Sequence, residues 1–161
     1  MSNSISQEIY QRHVDTVFRV CFTYMKNVAD TEDVTADTFV KLLKANPTFK
    51  SEEHEKAWLI RTATNVCKDA LKHWWRKRED IADYSEVLST RDAPFEEDEV
   101  TQAVLDLPEK YKGVVYLYYY EGYNAAQIAK ALRKPHSTIR NYLHEARELL
   151  RAKLGGDYER E

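Results

Sequence analysis

From Trp58 to Arg78 the chain reads WLIRTATNVCKDALKHWWRKR, with neither glycine nor proline. Ile60, Ala63, Cys67, Ala70 and Trp74 recur in it at i, i+3, i+7, i+10 and i+14, the spacing of one α-helical face. Trp58, Arg61, Asn65, Lys68, Lys72 and Arg76 form a second stripe on the opposite side. A helix of this length, apolar on one side and basic on the other, needs helical partners to cover its core face. The whole chain carries the same bias: four Gly and four Pro in 161 residues leave little for strands and tight turns.

The rest of the sequence supplies those partners. Residues 6–27 read as a first helix through Ile9, Val17, Val20, Cys21 and Tyr24. Residues 30–45 read as a second, with Asp30 as cap and Asp33 three residues on. Its core stripe is expected to be Ala36, Phe39, Val40 and Leu43, with Asp33, Asp37, Lys41 and Lys44 outside. Pro47 ends it. After Val100, Val104 and Leu107, the stretch PEKYKGVVYLYYYEG reads as a helix rather than a strand, with Pro108 in its first turn and Gly122 as its stop. Residues 79–97 are acidic, contain Pro94 and show no period. The expected fold is all-α: two small helical domains, residues 1–79 and 98–161, joined by an acidic flexible linker, residues 80–97.

The formal net charge of -3 conceals a segregated pattern. Residues 56–78 hold seven Lys/Arg against Asp69, residues 79–99 hold nine acids against Arg91, and residues 127–153 hold seven Lys/Arg against two Glu. Two basic segments around an acidic one point to nucleic-acid contact and a solvated tether. No apolar run approaches the roughly 18 residues of a membrane span, and the N-terminus lacks a signal-peptide layout. A cytoplasmic protein without membrane insertion is expected. Cys21 and Cys67 read as two reduced, buried thiols. Metal-ligand spacings are lacking, so neither metal nor cofactor is expected. No Ser-His or paired-carboxylate constellation supports an enzyme.

The stretch from Asn124 to Leu154 has helix-turn-helix layout. A short helix, Ala125–Leu132, carries Ile128, Ala129 and Leu132 on one side. Pro135 lies in the turn, where Arg133 occupies a slot often held by glycine. A longer helix from Ser137 turns Ile139, Tyr142, Leu143, Ala146 and Leu150 inward. Its leading residues, His136, Ser137, Thr138, Arg140 and Asn141, would enter the major groove. Ser137 and Thr138 offer capping hydroxyls, Arg140 and Asn141 can read base edges, and Arg133 or Lys134, Arg147 and Arg151 can hold phosphates.

Taken together, the two halves resemble the small extracytoplasmic-function group of bacterial sigma-70 family RNA polymerase sigma factors. DTEDVTADTFVKLLKA resembles the helix that docks on the clamp of core polymerase. FKSEEHEKAWLIRTATNVCKDAL resembles the loop and helix that recognise and melt the minus-ten promoter element. LPEKYKGVVYLYYYEGYNAAQIAKAL with STIRNYLHEARELL resembles the minus-thirty-five-binding domain. The resemblance covers roughly residues 8–79 and 98–154. It implies a non-enzymatic subunit that binds core RNA polymerase, directs it to promoter DNA and helps to melt it. It also implies an anti-sigma protein as partner.

By that resemblance Asp30, Asp33 and Asp37 contact core polymerase, while Phe39 packs inside. The family commonly has Gln-Glu where this chain has Ala36-Asp37. Phe49 and Lys50 belong to the loop, running to Glu53, that helps to form a pocket for a flipped base. Asn65 matches the base-recognising asparagine, and Arg61, Lys68, Lys72 and Arg76 track phosphates. Lys134, Ser137, Thr138, Arg140, Asn141, His144 and Arg147 are the minus-thirty-five set; Tyr142 stands where arginine is frequent. Trp75, between the two stripes, either packs or touches DNA. The linker is either a tether or a chain threaded through polymerase. A duplex-binding regulator that acts without polymerase, and a helical hydrolase, are the competing functions.

Overall fold

The computed structural model describes the backbone of residues 2–78 and 92–155 and the side chains of residues 6–73 and 92–155. The side chains of Trp74, Trp75 and Arg76, and most of the expected linker, lie outside the described residues. Seven helices follow one another and no strand occurs among the described residues: α1 Ser2–Met25, α2 Val28–Ala45, α3 Glu52–Arg78, α4 Glu99–Leu105, α5 Glu109–Tyr119, α6 Ala125–Leu132 and α7 His136–Leu154. They form two compact units, Met1–Pro94 and Phe95–Glu161.

In the first unit α1, α2 and α3 each pack on the other two. Val17, Val20, Cys21, Leu59, Ile60, Ala63 and Cys67 are wholly inaccessible at the centre, and neither cysteine is in a disulfide. Each fully buried Leu, Ile or Val contributes about 1.5–3 kcal/mol to collapse. This centre agrees with the expected stripe of α3, although Ala70 is only half-buried.

α2 departs from expectation. Its buried face is Thr31, Val34, Thr35, Thr38, Phe39 and Leu42, whereas Ala36, Val40 and Leu43 face solvent, the last two at 44% and 54% exposure. Threonine is tolerated inside because its hydroxyl can bond to the carbonyl a turn back. Thr31 Oγ1 donates to the Asn27 carbonyl at 2.6 Å and Thr38 Oγ1 to that of Val34 at 2.8 Å. The cap also differs. Asn27, not Asp30, is the N-cap: its Oδ1 accepts from the Asp30 N–H at 2.8 Å while its Nδ2 donates to the Asp30 carboxylate at 2.8 Å. α2 ends at Asn46 in the left-handed conformation, φ 44°, just before Pro47.

A buried polar knot joins α1 to the first turn of α3. Arg12 donates from Nε and Nη2 to the Glu55 carboxylate at 3.0–3.2 Å, and His13 Nε2 lies 3.0 Å from Glu55 Oε1. Side-chain exposure falls from 36% at Arg12 to 11% at Glu55 and 9% at His13. The guanidinium fork matches the carboxylate, and the low dielectric strengthens the pair.

The second unit surrounds α7, on which α4, α5 and α6 pack. Val104, Leu107, Tyr111, Val115 and Ala146 form one cluster with Tyr142 and Leu150 against it, and Ile128 and Ile139 are wholly buried where α6 crosses α7. Lys112 is buried, and its Nζ donates at 2.8 Å to the carbonyl of Leu105, an end group that α4 leaves unpaired. Pro108 is the N-cap of α5 rather than its first helical residue. The Tyr-rich run is helical, and Gly122, at φ 72°, turns the chain after it. No helix among the described residues is long and apolar enough to cross a membrane.

Candidate nucleic-acid interface

The helix-turn-helix is fixed by its two ends. Asn124 and Gln127 form a reciprocal capping box at 2.8 Å in each direction. Arg133 closes α6 in the left-handed conformation, φ 56° and ψ 52°. The backbone makes the turn that glycine would make freely, and an exposed cation sits there instead. Pro135 is the N-cap of α7 and no side chain caps it. Ser137 and Thr138 therefore do not supply the expected caps. Proline pre-sets the entry geometry two and three residues ahead of them.

Along α7, Ser137, Arg140, Asn141, His144 and Arg147 are all exposed, Lys134 is exposed just before it, and Thr138 is half-buried. The spacing puts them on the side opposite Ile139, Leu143 and Ala146. Arg147 lies over the Tyr118 ring at 5.4 Å, and hydrogen bonding to Tyr119, outweighing partial burial, holds its guanidinium above the ordinary value. Arg147 is thus anchored on the tyrosines of α5, a fixed point charge rather than a mobile one. Tyr142 is half-buried and meets Tyr111 edge-on at 5.6 Å, so it belongs to the core rim.

In the first unit the loop 46–51 leads into α3. Phe49, half-buried, meets His54 at 5.2 Å and Trp58 at 6.0 Å, both edge-on. Lys50 is exposed. Beyond this aromatic corner Arg61 and Lys68 are half-buried while Asn65 and Lys72 are exposed, at i, i+4, i+7 and i+11 along one side of α3. The loop and the amide therefore occupy one continuous face.

On α2, Asp33 and Asp37 are exposed, and Asp30 is half-buried and bound to its cap. Partial burial, then the charges of Asp30, Asp37 and Glu32, raise the Asp33 carboxyl above its ordinary value. The same face carries Ala36, Val40 and Leu43, next to a shallow groove lined by Ser6, Gln7, Tyr10, Phe39, Leu42 and Leu43. Phe39 is 8% exposed and packs edge-on against Tyr10 at 4.8 Å.

No local pattern marks the Arg12–His13–Glu55 knot, whose members lie 42 and 43 residues apart, and apolar spacing does not mark His54 as the first-turn residue that holds the preceding loop. A Ser three residues before a side-chain acceptor, Ser51 and His54, was the available signal for the latter.

Comparison with known proteins gives two family matches, Sigma-70 region 2 over residues 9–77 and Sigma-70 region 4 over residues 97–150. The chain is 26% identical over 166 residues to the ECF RNA polymerase sigma factor SigW of Bacillus subtilis, covering 91% of this chain and 87% of that one. It is 30% identical over 134 residues to the ECF RNA polymerase sigma factor SigC of Mycobacterium tuberculosis, covering 80% and 72%. Its fold matches the sigma factor RpoE of Bartonella quintana, solved in complex with the anti-sigma factor NepR. The TM-score is 0.71 with 18% identity over 94% of this chain and 96% of that one.

Proposed function

The chain belongs to the extracytoplasmic-function group of the sigma-70 family, and from that premise we propose how its two units divide the work. It is a sigma factor that directs RNA polymerase to promoters. The observation that carries this is the presence of region 2 and region 4, in that order, over residues 9–77 and 97–150. Such a protein is an initiation factor acting beside polymerase in the cytoplasm; the chemistry of transcription belongs to the polymerase.

In our reading the acidic and apolar face of α2 docks on core polymerase through Asp33 and Asp37, with Asp30 serving mainly its cap. Exposed Val40 and Leu43 supply the area that charged pairs alone lack. The corner of Phe49, Lys50, Trp58 and Asn65 takes the minus-ten element. Opening a base step costs a few kcal/mol, and stacking on an aromatic returns about 1–3 kcal/mol per base. The amide of Asn65 supplies hydrogen bonds to a base edge, while Arg61, Lys68, Lys72 and Arg76 follow the backbone. The exposed side of α7 from Ser137 to Arg147, with Lys134, takes the minus-thirty-five element. Arg140 and Asn141 read bases, and Arg147 and Lys134 hold phosphates. An anti-sigma protein is the expected regulator. Exposed Tyr119, Tyr120 and Leu149 in the second unit and Val40 and Leu43 in the first offer it apolar contact.

Run-off transcription with purified core polymerase, on promoters located by mapping transcript starts after overexpression, tests this. A discrete start dependent on the protein is expected. A start that appears only when another sigma factor is added refutes it in favour of an independent duplex-binding regulator. On the same promoters Lys134→Ala should weaken binding across sequences and lower the slope of log affinity against log salt by about 1, while Arg140→Ala should relax preference at one base pair.

A further inference from the structure

The loop that precedes α3 is held by a histidine. The Lys50 N–H donates to His54 Nδ1 at 3.1 Å, and the His54 N–H donates to Ser51 Oγ at 3.1 Å. The pair is a capping box in which an imidazole replaces the usual Glu or Gln side chain and reaches one residue further back. Accepting at Nδ1 requires the ring proton on Nε2. The same imidazole meets the Phe49 ring edge-on at 5.2 Å, and Phe49 in turn meets Trp58 at 6.0 Å. One side chain thus fixes both the backbone of Lys50 and the ring of Phe49. The support beneath is rigid, because the adjacent Glu55 is bound to Arg12 and His13 of α1.

We propose that His54 is the positioning residue of the minus-ten reader, holding the 46–51 loop so that Phe49 and Lys50 present one fixed pocket to a flipped base. The proposal rests on the reading of this corner as the minus-ten site. A loop released from His54 samples other conformations, and ordering it again at each binding event lowers discrimination among bases. The hydrogen bond and the ring contact are separable. His54→Gln keeps an acceptor in the first turn and loses the ring; His54→Phe keeps the ring and loses the acceptor.

The test is run-off transcription with reconstituted holoenzyme on the mapped promoter, its minus-ten and minus-thirty-five positions randomised one at a time. His54→Phe should flatten the preference at one minus-ten position by roughly three- to ten-fold, the worth of one hydrogen bond, and leave the minus-thirty-five profile unchanged. His54→Gln should keep the wild-type profile. His54→Leu, also without an acceptor, replaces the Phe variant if that variant does not fold. Acceptor-less variants with a wild-type profile, or a Gln variant as flat as they are, overturn the proposal. Wild-type holoenzyme without a discrete start overturns the functional reading first, and the proposal with it.

Discussion

Removal of the Glu55 carboxylate takes a partner from the Arg12 guanidinium and from the buried His13 ring in the first unit. In Glu55→Ala the 9%-exposed His13 loses its 3.0 Å partner and Arg12 loses a two-pronged one. Breaking a buried pair from one side costs about 3–5 kcal/mol when the remaining charge stays dry. Arg12, at 36% exposure, can rehydrate, so the expected cost is lower, about 2–3 kcal/mol. For a unit of this size that lowers Tm by roughly 10–20 °C, at about 4–8 °C per kcal/mol. All three tryptophans, Trp58, Trp74 and Trp75, lie in this unit. A melt followed by tryptophan fluorescence therefore reports it alone, while far-ultraviolet circular dichroism follows both. The second unit's transition should not move. Arg12→Met alone should cost less, and the double variant should recover part of the sum, since no carboxylate is then left without its guanidinium. A fluorescence shift of less than about 3 °C, under 1 kcal/mol, would show that the knot behaves as a surface pair and that α1 does not brace the start of α3.

Two further perturbations address local geometry. Arg133→Gly should leave the second unit as stable as wild type or up to about 1 kcal/mol more so, while Arg133→Val should lose about 1–2 kcal/mol, because only the backbone conformation is at stake; calorimetry of the full chain that ranks Val at or above Gly refutes a left-handed turn there. Asp98 caps α4 by accepting from the Thr101 N–H at 2.7 Å, which holds its carboxyl below the ordinary value. Its contribution is complete above the ordinary carboxylate pKa and is lost as pH falls through the lowered one. Asp98→Asn should therefore blunt the acid limb of the second unit's pH–stability curve, and an unchanged acid limb contradicts the cap.

The helix-turn-helix was legible because its signals are local. α6 spans Ala125–Leu132 as its apolar spacing indicated, and Ile128, Ile139, Leu143 and Ala146 are buried as read. The face of α2 was misread for a physical reason: hydropathy counts a threonine as polar, but a hydroxyl bonded to its own helix behaves as a methyl-bearing core residue. The caps failed for a related one. Asn27 fell at the end of the expected first helix, residues 6–27, rather than at the head of the second, and Pro135 took the place assigned to Ser137. The Glu55 knot left no local trace, because it joins positions more than forty residues apart that only tertiary packing brings together.

The threonine interior of α2 separates two properties that most helices couple. Because Thr31, Val34, Thr35, Thr38, Phe39 and Leu42 form the buried face that seats the helix, exposed Ala36, Val40 and Leu43 contribute little to folding. Substitutions among small and apolar side chains there alter the fit to whatever docks on α2 while the unit keeps its stability. That surface is thus open to evolutionary drift and to redesign, and a lineage can retune the strength of its hold on a partner without passing through an unstable intermediate.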